Sequence, residues 1–216
     1  MSAILQVKEV SKHFGGLKAV DKVSFEVQAG HITGIIGPNG SGKTTMFNMI
    51  TAIYPLTEGE VVFDGQSLHK LKPYQITTRG IARTFQNIRV FSSMTVAENA
   101  LIGRHSRMTS TLPGAVLHLP GSMKNEAENR EKALSYLEFV ELIHKKDELC
   151  TSLSYGEQRR LEIARALASE PKLLLLDEPA AGMNPYDEKL LVELIYKILE
   201  SGVTVMLIEH NMKLMM

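Results

Sequence analysis

Cysteine is almost missing from this chain. Cys150 stands alone, which excludes an internal disulfide and a metal site built from several thiolates, and leaves an ordinary thiol suited to a reducing compartment. Net charge is missing too: 24 lysines and arginines balance 24 aspartates and glutamates, so no broad basic field is available to gather nucleic acid. No stretch is long and apolar enough to cross a bilayer, and Met1-Ser2-Ala3-Ile4-Leu5-Gln6 lacks the basic region and apolar run of a signal peptide. A membrane role is therefore expected to come through a partner. Seven histidines occur, but never in H-E-x-x-H spacing, and without a C-x-x-C pair no zinc site is expected. At 216 residues the chain is long enough to bury a full core as one domain, or as one domain with a lobe.

What is present is concentrated in Gly37-Pro38-Asn39-Gly40-Ser41-Gly42-Lys43-Thr44, which fits G-x-x-x-x-G-K-[ST] at every fixed position. Before it, Ile32-Thr33-Gly34-Ile35-Ile36 is short, apolar and β-branched, as a buried strand is; after it, Thr45 to Ile53 continues as a helix. The glycines let successive N–H groups turn toward one anion, and the helix opening at Lys43 adds unpaired N–H groups and the positive end of its dipole. Lys43 is placed for the β- and γ-phosphates, and the Thr44 hydroxyl for Mg²⁺, a hard cation that prefers oxygen ligands. The alternative, a glycine-rich turn without a ligand, needs an accidental match on the order of one in a hundred for a chain of this length.

Around this cradle the chain reads in order. Ile4 to Val10 and Val23 to Val27 alternate apolar and polar residues, as antiparallel strands with one buried face. Between them Phe14 either stacks on a nucleobase or fills the core. The helix after Lys43 is expected to end near Tyr54-Pro55, Gly59 to Phe63 reads as a strand with a hairpin turn at Asp64-Gly65, and Pro73 to Arg79 as a short helix. Gln86 follows the strand-like Ile81 to Phe85; it offers a carbonyl to Mg²⁺ or to an attacking water, or is a surface residue. Thr95-Val96-Ala97-Glu98 is a capping box that opens a helix to about Gly103. Residues 104–124 read as an irregular insertion, and a helix resumes near Asn125.

Ser154 caps a further helix, with Glu157 as its capping-box partner; this helix start either binds an anion or is an ordinary capped end. Leu173-Leu174-Leu175-Leu176 is a continuous apolar run, as in a parallel strand covered on both faces. Asp177-Glu178 stands at its carboxyl end, the edge where ligands bind in open α/β sheets. There Asp177 acts on Mg²⁺ through the second shell and Glu178 orients or deprotonates the attacking water, unless both are solvated acids. Asn184-Pro185 starts a helix to Ser201, and Val203 to Ile208 is a buried strand ending in Glu209-His210; His210 either hydrogen-bonds the γ-phosphate or is structural.

Assembled, these residues resemble the ATP-binding subunit of ABC transporters, and within that family the branched-chain amino-acid importer subgroup. The resemblance rests on the cradle, on Arg83-Thr84-Phe85-Gln86-Asn87, on Leu153 to Leu167, on Asp177-Glu178-Pro179-Ala180-Ala181-Gly182-Met183-Asn184-Pro185 and on Ile208-Glu209-His210. It implies an α/β P-loop NTPase fold with a mostly parallel core sheet, an antiparallel β subdomain and a helical lobe. The core would comprise residues 1–90 and 171–216 and the lobe 91–170, within one ATPase domain; the further C-terminal strands usual in the family are not in this sequence. The resemblance also implies that the cradle and Thr45 bind ATP with Mg²⁺, that Phe14 and Val20 flank adenine, that Gln86 couples nucleotide to the membrane partner, and that Glu178 is the catalytic base. Ser154, Tyr155, Gly156 and Glu157 would meet the nucleotide of the opposite subunit, Tyr155 standing where glycine is common in the family and Glu157 where glutamine is.

The implied partners are a second copy or a paralogue in a head-to-tail dimer, permease subunits, and indirectly a solute-binding protein, at the cytoplasmic face of a membrane and without nucleic acid. Urea transport, lipopolysaccharide export, a DNA-repair ATPase and a non-hydrolysing scaffold are the alternatives; the repair class carries long heptad insertions that this chain lacks.

Overall fold

The computed structural model describes residues 3–107 and 120–209. The chain divides into two compact units, Met1–Gln86 with Lys172–Met216, and Asn87–Pro171. In chain order the first unit begins with β1 (Ala3–Phe14), β2 (Leu17–Gln28), β3 (Ile32–Ile35), α1 (Lys43–Ile50), β4 (Glu58–Phe63), β5 (Gln66–Ser67), α2 (Pro73–Arg79) and β6 (Ile81–Arg83). The second unit holds α3 (Val96–Ile102), α4 (Pro120–Phe139) and α5 (Tyr155–Leu167). The chain then returns to the first unit with β7 (Leu173–Asp177), α6 (Pro185–Glu200) and β8 (Thr204–Ile208).

Among the described residues the strands form two sheets, one antiparallel in the order β2-β1-β4-β5 and one parallel in the order β3-β8-β7-β6. The leucine run of β7 and the apolar run of β8 are buried along their whole length, as expected for central parallel strands covered on both faces. Met46, Phe47, Met49 and Ile50 of α1 pack into one core with Leu5, Val7 and Phe63 of the antiparallel sheet and Leu173, Leu175 and Met206 of the parallel one. One short helix thus joins both sheets, and its first turn follows the glycine loop.

Some boundaries differ from the sequence reading. β1 and β2 continue to a tight turn pairing Phe14 with Leu17, well past the alternating stretches. Bulges make this possible: the N–H of Glu9 donates to the Ser24 hydroxyl (2.8 Å) and that of Lys22 to the Ser11 hydroxyl (2.9 Å), replacing ladder bonds where the register slips. Helix α1 ends at Ile50 rather than near Tyr54, because Thr51 caps it and Ala52 takes a left-handed conformation. The strand read over Ile81 to Phe85 ends at Arg83, with the Thr84 N–H still donating to the Leu175 carbonyl (2.9 Å), and α4 begins at Pro120, where proline's missing N–H costs nothing. Most of the insertion read over 104–124 lies outside the described residues.

In the second unit α3, α4 and α5 pack on one another in pairs. Buried Asn99 on α3 latches the preceding segment: its carbonyl accepts from the Phe91 N–H (2.8 Å) and its amide donates to the carbonyls of Phe91 and Thr95. Gly103 ends α3 against α5 so closely that a Cβ there would lie 2.0 Å from the Arg165 carbonyl oxygen. Gly103→Ala is therefore expected to force the two helices apart and lower stability by roughly 1–3 kcal/mol. Urea unfolding of the variant tests this, and an unaltered midpoint would show that the contact relaxes freely.

Candidate functional site

The loop between β3 and α1 is shaped by backbone that side chains would obstruct. Gly40 (φ 80°) and Gly42 (φ 89°) are left-handed, and a Cβ on Gly42 would stand 2.5 Å from the Ala19 carbonyl oxygen. Gly42 offers α1 no side-chain cap and the first turn carries no acid, so the helix start keeps N–H groups and a positive dipole end directed at the loop. The Lys43 ammonium crosses the loop and donates to the carbonyls of Gly37 (2.7 Å) and Pro38 (2.9 Å).

These groups open onto a cavity of about 790 Å³. Its wall is Asn39 to Thr45 from the loop and helix, Leu17 to Ala19 and Phe14 from the hairpin, and Gln86 and Glu178 from the ends of two parallel strands. Phe14 is 43% exposed, which settles its two readings against the core. The edge of Tyr54 meets its ring (5.3 Å between centroids, 81°), and the Lys12 ammonium stands 5.0 Å from the ring centre while donating to the Pro55 carbonyl at 2.8 Å. Val20 is not on this wall. Val20 is buried against Gly42 and lines an adjoining space of about 450 Å³ with Gly37 and Pro38, while Ala19, where the β1–β2 register slips, lines both.

The two acids occupy different surroundings. The Glu178 carboxylate lines the cavity and accepts from the Gln86 amide at 2.8 Å; its backbone is left-handed (φ 46°) and its N–H donates to the Ile208 carbonyl. Asp177 is buried: Oδ2 accepts from Arg83 at 2.7 Å, and Oδ1 has no hydrogen-bond partner among the described residues. Buried Glu209 accepts from the Ala180 N–H, and His210 lies outside the described residues. Among the described residues no cluster of three His, Cys, Asp or Glu is placed to hold a metal. Thr44 and Gln86 line the cavity and offer it a hydroxyl and a carbonyl oxygen, while the orphaned Asp177 Oδ1 is buried and off its wall. These oxygens fit a hard cation such as Mg²⁺, which takes much of its shell from water and substrate phosphates.

Sequence reasoning had not assigned Leu17, Lys18 and Ala19 to the wall, nor Lys12 and Tyr54 to the support of Phe14. Lys12 and Phe14 stand two apart on one strand face, a signal that was available; Tyr54 carried none.

In the second unit Ser154 caps α5. Its hydroxyl accepts from the Glu157 N–H (3.3 Å), and the Glu157 carboxylate accepts from the Ser154 N–H (2.9 Å) and from Lys145 (2.7 Å). Burial pushes the Glu157 carboxyl up, but the hydrogen bonds from Lys145 and Ser154 outweigh it and hold the group below the usual carboxylate range. Tyr155 is exposed at the helix start and Gly156 buried behind it.

The sequence pattern of the family described as ABC transporter matches residues 20–181. The chain is 42% identical over 214 residues to the high-affinity branched-chain amino acid transport ATP-binding proteins BraF of Pseudomonas aeruginosa and LivG of Escherichia coli K12, covering 99% of this chain and 84% of each relative. Among solved structures it is similar to an ADP-bound ATP-binding cassette of an ABC transporter (TM-score 0.86, 36% identity, 99% of this chain and 84% of that one). It is also similar to a dimeric post-hydrolysis cassette bound to ADP and Pi (TM-score 0.80, 28% identity, 97% and 89%).

The Glu157 pair makes a pH prediction. A carboxyl held low in the folded state contributes stability that is complete above its unfolded value, about 4.3, and lost as pH falls through the lower folded value. Glu157→Gln should be less stable by about 1 kcal/mol at neutral pH and lose less on acidification. Unfolding midpoints of the two proteins between neutral and acid pH test this; parallel curves would refute it.

Proposed function

The chain belongs to the ABC transporter family of ATP-binding proteins, and from that premise we propose that it is the ATPase subunit of an importer of branched-chain amino acids, binding ATP with Mg²⁺. The observation that carries the site assignment is that the glycine loop with Lys43, the exposed ring of Phe14, and the Gln86–Glu178 pair all wall one cavity.

In this reading the face of Phe14 receives adenine, with Tyr54 and Lys12 holding the ring upright. Lys43 exchanges two loop carbonyls for β- and γ-phosphate oxygens, while the N–H groups of residues 40 to 45 supply the rest of the cradle. Mg²⁺, when bound, neutralises charge on the phosphate oxygens; Thr44 and Gln86 offer oxygens to it and Asp177 holds it through the second shell. Glu178 accepts the proton of the water that adds to the γ-phosphorus, ADP departing as the leaving group, and the Gln86 amide aims that carboxylate. Among the residues outside the description, His210 is assigned to the γ-phosphate.

Ser154, Tyr155, Gly156 and Glu157 meet the ATP held by a second copy or a paralogue. A capping hydroxyl that accepts from the backbone still has a proton to give an anion. ATP that binds only the closed pair supplies the differential affinity that drives permease subunits between two states. Among the described residues no helix is long and apolar enough to cross a membrane. In this reading the chain attaches through those subunits at the cytoplasmic face. A solute-binding protein delivers the cargo, and no nucleic acid takes part.

Glu178→Gln is expected to lower hydrolysis by about 10²–10⁴-fold while ATP binding persists and a dimer accumulates in light scattering; undiminished turnover removes Glu178 from its role. Lys43→Ala should lose ATP binding in a fluorescence titration, and retained affinity would count against the cradle. For the cargo, the chain reconstituted with branched-chain amino-acid permease subunits and their solute-binding protein should show leucine-stimulated ATP hydrolysis, and indifference to leucine would overturn that assignment.

A further inference from the structure

We propose that Arg83 is a positioning residue for the metal-dependent step, a role that rests on the reading of Asp177 as an acid that holds the metal. Arg83 ends β6, three residues before Gln86, and its side chain is only 5% exposed. Its guanidinium spans two elements. One edge donates to Asn48 Oδ1 (2.6 Å) on α1 and reaches Thr51 Oγ1 (3.4 Å) at the cap of that helix; the other donates to Asp177 Oδ2 (2.7 Å) at the end of β7. The rings of Phe47 and Phe85 lie near the cation, with centroids 5.5 and 5.0 Å away.

Stability alone is a poor account of this arrangement. Exchanging a buried ion pair for apolar side chains of similar volume is often neutral or stabilising, because both charges lose their hydration. What a planar guanidinium adds is geometry: its donors leave at set angles, so partners on either side are held at a set spacing. Here the partners are the far end of α1, whose first turn presents Lys43 and Thr44, and the carboxylate of Asp177. With Oδ2 engaged by Arg83, Oδ1 is the oxygen without a protein partner among the described residues. Arg83 therefore leaves Oδ1 as the Asp177 oxygen for a metal-bound water to meet, and ties that carboxylate to the helix that carries Thr44. A ligand's supporting partners commonly matter to metal binding in this way.

The test is binding of Mn²⁺ to the full chain in the presence of ADP, followed by electron paramagnetic resonance, beside ADP affinity measured in EDTA. Arg83→Lys keeps the buried charge but loses the fork, and is expected to weaken Mn²⁺ binding about tenfold while metal-free ADP affinity moves by no more than about twofold. Asn48→Ala, which leaves the ion pair in place, is expected to show a smaller loss of the same kind. Thermal unfolding establishes that each variant is folded; should Arg83→Lys not fold, Asn48→Ala decides, and parental Mn²⁺ affinity in it overturns the proposal. Folded Arg83→Lys with parental Mn²⁺ affinity overturns the role of Arg83 if Asp177→Asn weakens Mn²⁺ binding. If Asp177→Asn also leaves Mn²⁺ binding unchanged, the reading of Asp177 itself falls, and Arg83's role with it.

Discussion

A backbone-to-backbone contact organises the first unit. The left-handed Gly42 closes the phosphate loop directly against the carbonyl of Ala19, with no side chain between them. Because any Cβ would intrude, the loop and the β1–β2 hairpin keep a single spacing, and the ring of Phe14 at the hairpin tip shares a cavity with the loop's N–H groups. Helix α1 extends that constraint inward. Its buried face belongs to the core of both sheets, so the cradle is anchored to the strands that carry Gln86 and Glu178.

Charge is buried where it can act on geometry. Asp177 and Arg83 neutralise each other in the first unit, as Arg159 and Glu162 do at 2.8 Å on α5 in the second. Such pairs contribute little net stability against apolar replacements, and Glu162 is held further by Arg165 at 3.9 Å. Both stand beside residues assigned to chemistry: Arg83 near Gln86, and the α5 pair within two turns of Ser154.

In the second unit small and polar side chains set how closely the helices approach. Gly103 brings α3 against the backbone of α5, and Arg104 and Arg107 donate to the carbonyls of Ala168, Ser169 and Glu170 just past the end of α5. The chain's lone thiol belongs to the same packing. Cys150 donates to the Phe91 carbonyl, and burial pushes its thiol above the usual value, the opposite of what a reactive cysteine needs.

The sequence by itself determined the features that consecutive residues encode. The glycine pattern before Lys43, the caps at Thr95, Ser154 and Asn184, the apolar runs of β7 and β8 and the acids at the end of β7 all follow from backbone freedom, hydrogen-bond inventory and side-chain period within one short segment. Only the tertiary structure decided whether Phe14 lay in the core or on a cavity wall, since that turns on Tyr54, forty residues away and on no common period. It also moved Val20 off the wall, gave Arg83 partners on two distant elements, and carried β1 and β2 through bulges satisfied by serines of the opposite strand. Contacts of this kind depend on how separated elements settle against one another, and spacing along the chain holds no record of that.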